Sequence, residues 1–372
     1  MLLRYTQHTI GAFMLVSITT ASPPYKVDQH VAAAELKKRM AASPVVGRMI
    51  DMAAQHSGID QRFLVIPDGN HDAKKKFYSD GNGPVVPDTK TRMIEYERWS
   101  KTLATKAVEE ILDETDTDPG RIDRLITISC TGFFAPGLDR FLIDRFGFPL
   151  SVKRTTIGFM GCAASLVGFH SVFESFSAAH KPGKTLLVSV ELCSLHLQTE
   201  PTRDNILANM VFADGCAAAL FESDAEHGLE ILSTSSYLFP QSSHYMGWNI
   251  GNTGFEMILS SDLPKVILND AVPKLREILD DHGTPAERMS HWALHPGGRA
   301  ILDSLQRGLG LSDPQMLPSR IVLKTYGNLS SASILFVLKE LLNTASLKPE
   351  DLVCAVAFGP GLTMETTVLK VC

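Results

Sequence analysis

Two stretches of this chain repeat one another at a constant separation, and that duplication limits the available folds more than any other feature. DPGRIDRLITISCTG (118–132) and TPAERMSHWALHPGG (284–298) each open on a proline after a polar residue. Each continues through a short polar stretch of helical character into an apolar strand and ends on a glycine turn. Pro119 and Pro285 stand 166 positions apart, as do the pairs Gly161–Cys162 and Gly327–Asn328. Small residues and an amphipathic helix follow each pair. Ile334, Leu335, Leu338, Leu341 and Leu342 keep helical spacing; Leu166, Val167, Phe169, His170 and Phe173 keep it more loosely. Both helices end near a Lys-Pro step, Lys181 with Pro182 and Lys348 with Pro349, and apolar strands follow at 185–190 and 352–358. Helices alternating with strands predict an α/β chain with a mostly parallel sheet. The expected halves are 1–225 and 226–372, related by a pseudo-two-fold axis, with a site at the seam where Cys162 faces Asn328.

Composition narrows the function classes. A chain of 372 residues, 44% hydrophobic and 20% charged, has a globular profile and enough length for a large core. A net charge of -6 argues against nucleic acid as a partner; the basic run Lys74 to Lys76 reads as a solvated loop. Arg4 followed by an apolar stretch at 10–18 imitates a secretory leader, but the run is short and the expectation is a buried first strand at 14–18, stopped by Pro23 and Pro24. No run is long enough to span a bilayer. The cysteines, Cys130, Cys162, Cys193, Cys216, Cys354 and Cys372, show no metal-binding or disulfide spacing, so no metal site is expected and a reducing cytoplasm fits.

Three positions carry chemistry. Cys162 follows Gly161 at a strand-to-helix turn, where helix-end amides favour a thiolate. His295 closes the strand at 292–294 and opens His-Pro-Gly-Gly, a strand end of the kind on which α/β proteins place active groups; an imidazole there would stabilise the thiolate as an ion pair. Asn328, in Tyr-Gly-Asn-Leu-Ser-Ser-Ala, is either a helix cap or an amide donor for an oxyanion. Cysteine, histidine and asparagine together serve papain-type proteolysis or thioester condensation. Gly-Cys-Ala-Ala-Ser lacks the CGSCW context of the former. Condensation suits a cysteine, because its acyl thioester stays electrophilic enough for a carbanion.

At Gly-Cys-Ala-Ala (161–164), His-Pro-Gly-Gly (295–298), Tyr-Gly-Asn-Leu-Ser-Ser-Ala (326–332) and the closing Phe-Gly-Pro-Gly-Leu-Thr-Met-Glu-Thr (358–366), the chain resembles the chalcone-synthase-like type III polyketide synthases of the thiolase superfamily. The resemblance runs from about Thr19 to Val371. It implies a five-layer αβαβα fold and a homodimer. It further implies that Cys162 is loaded from an acyl-CoA starter and extended repeatedly with malonyl-CoA, with His295 and Asn328 promoting decarboxylation. No cofactor beyond the coenzyme A thioesters is implied. Phe212 aligns with a gatekeeper phenylalanine, and Met257 replaces a second. Ala135 takes the place of a methionine that crosses the dimer, and Glu191 matches a buried acid behind the cysteine.

Cys130, Thr131, Cys193, Leu195, His196, Gly297, Gly298, Ser330, Gly359, Pro360 and Gly361 match substrate-binding positions. Arg48, His56 and Arg62 are the coenzyme A candidates. The departures point to a microbial-type enzyme, with an aliphatic starter and a resorcinol or pyrone product. A single-round β-ketoacyl synthase and a silent thiolase-fold binding protein are the competing readings.

Overall fold

The computed structural model describes residues 13–69, 76–80, 83–177, 183–223 and 225–372. Arg4, Ile10, Lys74, Lys75, Lys181 and Pro182, which carried expectations above, lie outside the described residues. Nine strands form the main sheet: β1 (Met14–Ala21), β2 (Ile122–Ser129), β3 (Lys153–Gly158), β4 (Lys184–Leu192), β5 (Asp214–Glu222), β6 (Leu229–Leu238), β7 (His291–Leu294), β8 (Leu352–Gly359) and β9 (Thr363–Val371). Their spatial order is β7-β8-β9-β6-β1-β5-β4-β2-β3. The expected first strand is therefore present as β1.

That order is nearly symmetric about its middle. In the first half β2, β4, β5 and β1 succeed one another; in the second β7, β8, β9 and β6 do so. The halves are stitched by a short antiparallel contact, Met14 with Glu230 and Leu15 with Leu229. The symmetry is incomplete. The helix Leu138–Phe146 leads into β3 in the first half, whereas the corresponding stretch of the second half holds two helices, Arg299–Leu309 and Asp313–Tyr326, and no strand.

The sheet is less parallel than the sequence pattern predicts. Among the described strands only β2–β3, β2–β4 and β7–β8 run parallel. Helical crossovers make those pairs, but β8 returns directly into β9 through residues 360–362 and pairs antiparallel with it. The polar stretches after Pro119 and Pro285 are single 3₁₀ turns, Pro119–Arg121 and Ala286–Arg288.

Layering follows from what each helix must bury. The two equivalent helices, α1 (Ala164–Ser177) and α2 (Ser333–Thr344), lie between the half-sheets and touch strands of both. Ile334, Leu335, Val337 and Leu338 of α2 are all fully buried, as a helix covered on two sides requires. Phe169 of α1 packs edge-on against Phe221 of β5, centroids 4.9 Å apart. The helix Thr89–Glu114 covers the outer face of the first half-sheet. Val272–Asp281 and Arg299–Leu309 cover that of the second, through Leu275, Leu279, Leu302 and Leu305 against Cys354, Val356 and Met364. Helix, sheet, helix pair, sheet, helix is the five-layer αβαβα arrangement of the thiolase fold.

The repeat offset reappears as contact at the axis. Ser165 Oγ donates to the carbonyl of Ser331, 166 residues away, at 2.7 Å, and Cys162 meets Asn328 across the same separation.

Candidate active site

The chain leaves β3 through Phe159 and Gly161, both in the left-handed region at φ +62° and +57°, and turns into α1 by a 3₁₀ turn, Gly161–Ala163. Gly161 is required twice over: its φ suits glycine, and a Cβ there would lie 2.5 Å from Pro360 Cδ. Its amide donates to Cys130 Sγ at 3.1 Å. This turn presents Cys162, only 6% exposed, with its thiol 3.9 Å from Asn328 Oδ1 and 3.9 Å from Ser330 Oγ.

Asn328 is held by both halves. Its amide N–H donates to the Val211 carbonyl at 2.9 Å and its carbonyl accepts from Ala213 at 2.8 Å. Its side-chain Oδ1 accepts from the Ser330 amide at 2.8 Å, so Nδ2 points the other way, 3.3 Å from the Gly297 carbonyl. The residue thus caps the following 3₁₀ turn, and it presents an amide donor beside His295. His295 itself leaves β7 with its backbone fixed to Val356 at 2.9 Å. It is 3% exposed, and neither ring nitrogen has a hydrogen-bond partner among the described residues. A buried imidazole with both nitrogens unsatisfied calls for a partner from the cavity, a ligand or an ordered water.

Electrostatically, burial dominates. It pushes the Cys162 thiol up to about 12 and the His295 imidazole down to about 3. Burial therefore opposes the thiolate expected from the helix end, and it opposes an imidazolium at His295 as well. Behind them lies Glu191, fully buried. It accepts from the Cys130 amide at 3.0 Å, from Thr131 Oγ1 at 2.7 Å and from Ser331 Oγ. Burial raises its pKa against those donors.

Cys162, His295 and Asn328 share the wall of a cavity of about 510 Å³ with Phe212, Met257, Gly297, Gly298, Ser330 and His56. Its remaining lining is largely apolar, including Met52, Ile206, Leu263 and Ile267. A smaller cavity of about 80 Å³ lies alongside, bordered by Cys130, Thr131, Cys193 and His196. Phe212, Trp248, Met257 and Ser330 border both, so they form the partition. His196 is pinned there: Nε2 donates to the Thr131 carbonyl at 2.7 Å, Nδ1 accepts from the Phe255 amide at 3.0 Å, and the ring stacks on Phe255. Burial takes its pKa down to about 4.

Other positions fall elsewhere. Leu195 is fully buried in the main core and borders neither cavity. Gly359, Pro360 and Gly361 also stand outside both linings; Pro360 packs behind the Gly161 turn. Ala135 is exposed, away from the cavities of its own chain. Arg62 is 3% exposed and donates to the carbonyls of Asn209 and Phe212 at 2.7 Å, so it cannot reach a phosphate in solvent. Arg48 is exposed on the helix Pro44–His56, whose Met49, Met52, Ala53 and His56 line the larger cavity, but Arg48 is not among them. Sequence reasoning missed Trp248 and two exposed cavity-lining arginines, Arg203 and Arg299. The signal for the arginines was available: each opens a helix, Arg203–Val211 and Arg299–Leu309. Among the described residues no cluster of His, Cys, Asp or Glu is arranged to hold a metal, and no helix is long and apolar enough to cross a membrane.

Gly161→Ala is expected to displace the nucleophile turn and cost about 10²-fold in Cys162-dependent turnover, together with a lower melting temperature; unchanged values of both would show that the turn accommodates a Cβ.

Comparison with known proteins places this geometry in context. Residues 230–372 match the C-terminal domain of chalcone and stilbene synthases, and residues 83–230 match the FAE1/type III polyketide synthase-like family. A 1,3,6,8-tetrahydroxynaphthalene synthase of Streptomyces coelicolor is 30% identical over 76% of this chain and 75% of its own length. The α-pyrone synthesis polyketide synthase-like Pks18 of Mycobacterium tuberculosis is 33% identical over 66% of this chain and 64% of its own. The crystal structure of PKS-I from the brown alga Ectocarpus siliculosus superposes with a TM-score of 0.91 at 28% identity, covering 99% of this chain and 100% of that one. Fold, family models and relatives agree: the chain belongs to the chalcone-synthase-like type III polyketide synthases, transferases that build polyketides from malonyl-CoA.

Proposed function

We propose that Cys162, His295 and Asn328 carry the polyketide chemistry of this chain, on an aliphatic acyl-CoA starter, toward a resorcinol or pyrone product. The observation that carries the assignment is the buried His295 with both ring nitrogens unpartnered, on the same apolar wall as a buried thiol and an amide donor. The Cys162 proton passes to His295, and the sulfur attacks the starter thioester; coenzyme A leaves as the thiol, taking the proton back. Malonyl-CoA then loses carbon dioxide. The electron pair of the broken C–C bond moves onto the thioester oxygen, held as an enolate by His295 Nε2–H and Asn328 Nδ2. The enolate carbon attacks the acyl-Cys162 carbonyl, forming the new C–C bond and expelling the cysteine sulfur. Return of the lengthened chain to Cys162 starts the next round.

The apolar lining at Met52, Ile206, Leu263 and Ile267 supports an aliphatic starter, and the relative named for α-pyrone synthesis supports a pyrone. Phe212 and Met257, in the partition, act as the gate residues. Coenzyme A supplies phosphates that need cations at the cavity mouth. We assign that contact to Arg203 and Arg299, with His56, in place of Arg62. Arg299 spends little elsewhere, lying 3.6 Å from Asp303 with about half of its side chain exposed. Homodimerisation is assigned to the sheet edge at β3. There Phe133 and Phe159, 56% and 53% exposed, pack on each other beside a groove of about 460 Å³, and Ala135 lies two residues beyond Phe133. The six free cysteines suit a reducing cytoplasm.

Radiolabelled acyl-CoA is expected to attach to the protein and to fail with Cys162→Ala; equal labelling of both would remove Cys162 as nucleophile. His295→Ala and Asn328→Ala should each lower malonyl-CoA decarboxylation by about 10²–10³-fold, far more than either lowers stability, with the larger fall in melting temperature for Asn328→Ala because the Ser330 amide loses its acceptor. Counting malonyl units per product by mass spectrometry separates iterative synthesis, several units, from a single-round ketoacyl synthase, one. Arg203→Ala and Arg299→Ala should raise KM for malonyl-CoA and leave KM for malonyl-N-acetylcysteamine, which lacks phosphates, unchanged; a rise for both thioesters would make them packing residues. Sedimentation should read a dimer for the parent chain and a monomer for Phe133→Glu, and a dimer in both would move the interface elsewhere.

A further inference from the structure

A 3₁₀ turn precedes each of the central helices α1 and α2, and both turns open on a residue with positive φ. Gly161–Ala163 opens on a glycine at φ +57°, and Ser330–Ala332 opens on a serine at φ +49°. Glycine adopts that conformation freely, whereas a residue with a Cβ is strained there. Ser330 holds this strained conformation with its side chain in place, and that side chain ends 3.9 Å from Cys162 Sγ. Ser330 is 6% exposed, and its amide is committed to Asn328 Oδ1 at 2.8 Å, which holds the strained backbone in place.

Two side-chain oxygens approach the sulfur, and they are not equivalent. Asn328 Oδ1 can only accept a hydrogen bond, and the Ser330 amide fixes which end of the carboxamide it is. It can take the proton of a neutral thiol but offers nothing to a thiolate. The Ser330 hydroxyl accepts or donates by rotation about one bond. With the neutral thiol it accepts; once the sulfur carries charge it can turn and donate. Other titratable groups around the sulfur are Glu191 at the end of β4, Cys130 beyond β2, Cys193 beyond β4 and His295 beyond β7. Glu191, when ionised, opposes the thiolate. Cys130, buried, and Cys193, half-buried, are thiols that offer it no charge support. His295 supports it only after taking the proton.

We propose that Ser330 is a reversible hydrogen-bond partner of the nucleophile, accepting from the Cys162 thiol at rest and donating to its thiolate, so that this hydroxyl sets how readily the thiolate forms. The proposal rests on Cys162 being the nucleophile. It gives Ser330 a role in the ionisation of the sulfur in addition to its place in the cavity wall.

The test is the pH dependence of Cys162 alkylation by iodoacetamide, read by mass spectrometry of the Cys162 peptide, in the full chain and in Ser330→Ala and Ser330→Gly. Alanine keeps the strained backbone without the hydroxyl; glycine removes both hydroxyl and strain. The midpoint is expected to rise by about one pH unit in both variants, roughly a tenfold slower reaction at fixed pH below the midpoint, while Ser330→Gly melts no lower than Ser330→Ala. A midpoint in Ser330→Ala equal to that of the parent chain would overturn the proposal. So would a shift in only one variant, which would assign the effect to the backbone. If iodoacetamide spares Cys162 in the parent chain itself, the nucleophile reading falls and this inference falls with it, whereas labelling without a shift removes this inference alone.

Discussion

Glu191 reaches from the end of β4 to Ser331 in the second half of the chain, and to Cys130 and Thr131 at the end of β2. This acid is fully buried, so its stability depends on those donors, and their positions depend on it. Ser331 also meets Ser189 of β4 at 2.9 Å and, through its carbonyl, Ser165 of α1. A knot of hydroxyls around one acid therefore joins both central helices to two strand ends. Asn328 lies three residues before Ser331, and Cys130 receives the amide that precedes Cys162. The relative placement of nucleophile and amide is set by this knot, and removing the acid would leave several buried donors unpaired at once.

Burial provides the reactivity of the site and also restrains it. An exposed cysteine and histidine would titrate independently; here each is driven toward its neutral form. The same burial disfavours a thiolate–imidazolium pair at these positions. Hydrogen bonds to that pair act at low dielectric, where they are strong. The Ser330 hydroxyl, the Asn328 carboxamide and the His295 imidazole are polar groups on the same buried cavity wall as Cys162.

Much of this was legible in the residues. The 166-residue offset marks the two helices that meet at the axis, and it pairs Cys162 with Asn328, which the fold brings together. His295 was marked by the strand and glycine turn around it. What sequence missed depends on packing that no periodicity encodes. The second half holds a helix, Asp313–Tyr326, in the stretch where the first half has β3, and the repeat motifs do not reach that stretch. The antiparallel return of β9 follows from a loop too short for a crossover. Arg62 reads as a surface cation, and only its burial against two carbonyls shows otherwise. Trp248 sits on a hairpin, Met246–Gly251 with Gly254–Leu259, folded over the site from distant sequence, so nothing near it announced that it borders both cavities.

Under the function proposed for this cavity, the partition formed by Phe212, Trp248 and Met257 has a kinetic meaning. A poly-β-keto chain is reactive along its whole length, and in water its fate is a competition among hydrolysis, decarboxylation and several ring closures. Behind a wall of aromatic and thioether side chains, solvent is scarce and bends in the chain are few. Selection among outcomes then rests on which carbons the wall lets approach one another, so that the shape of an inert surface does the work of choosing a product.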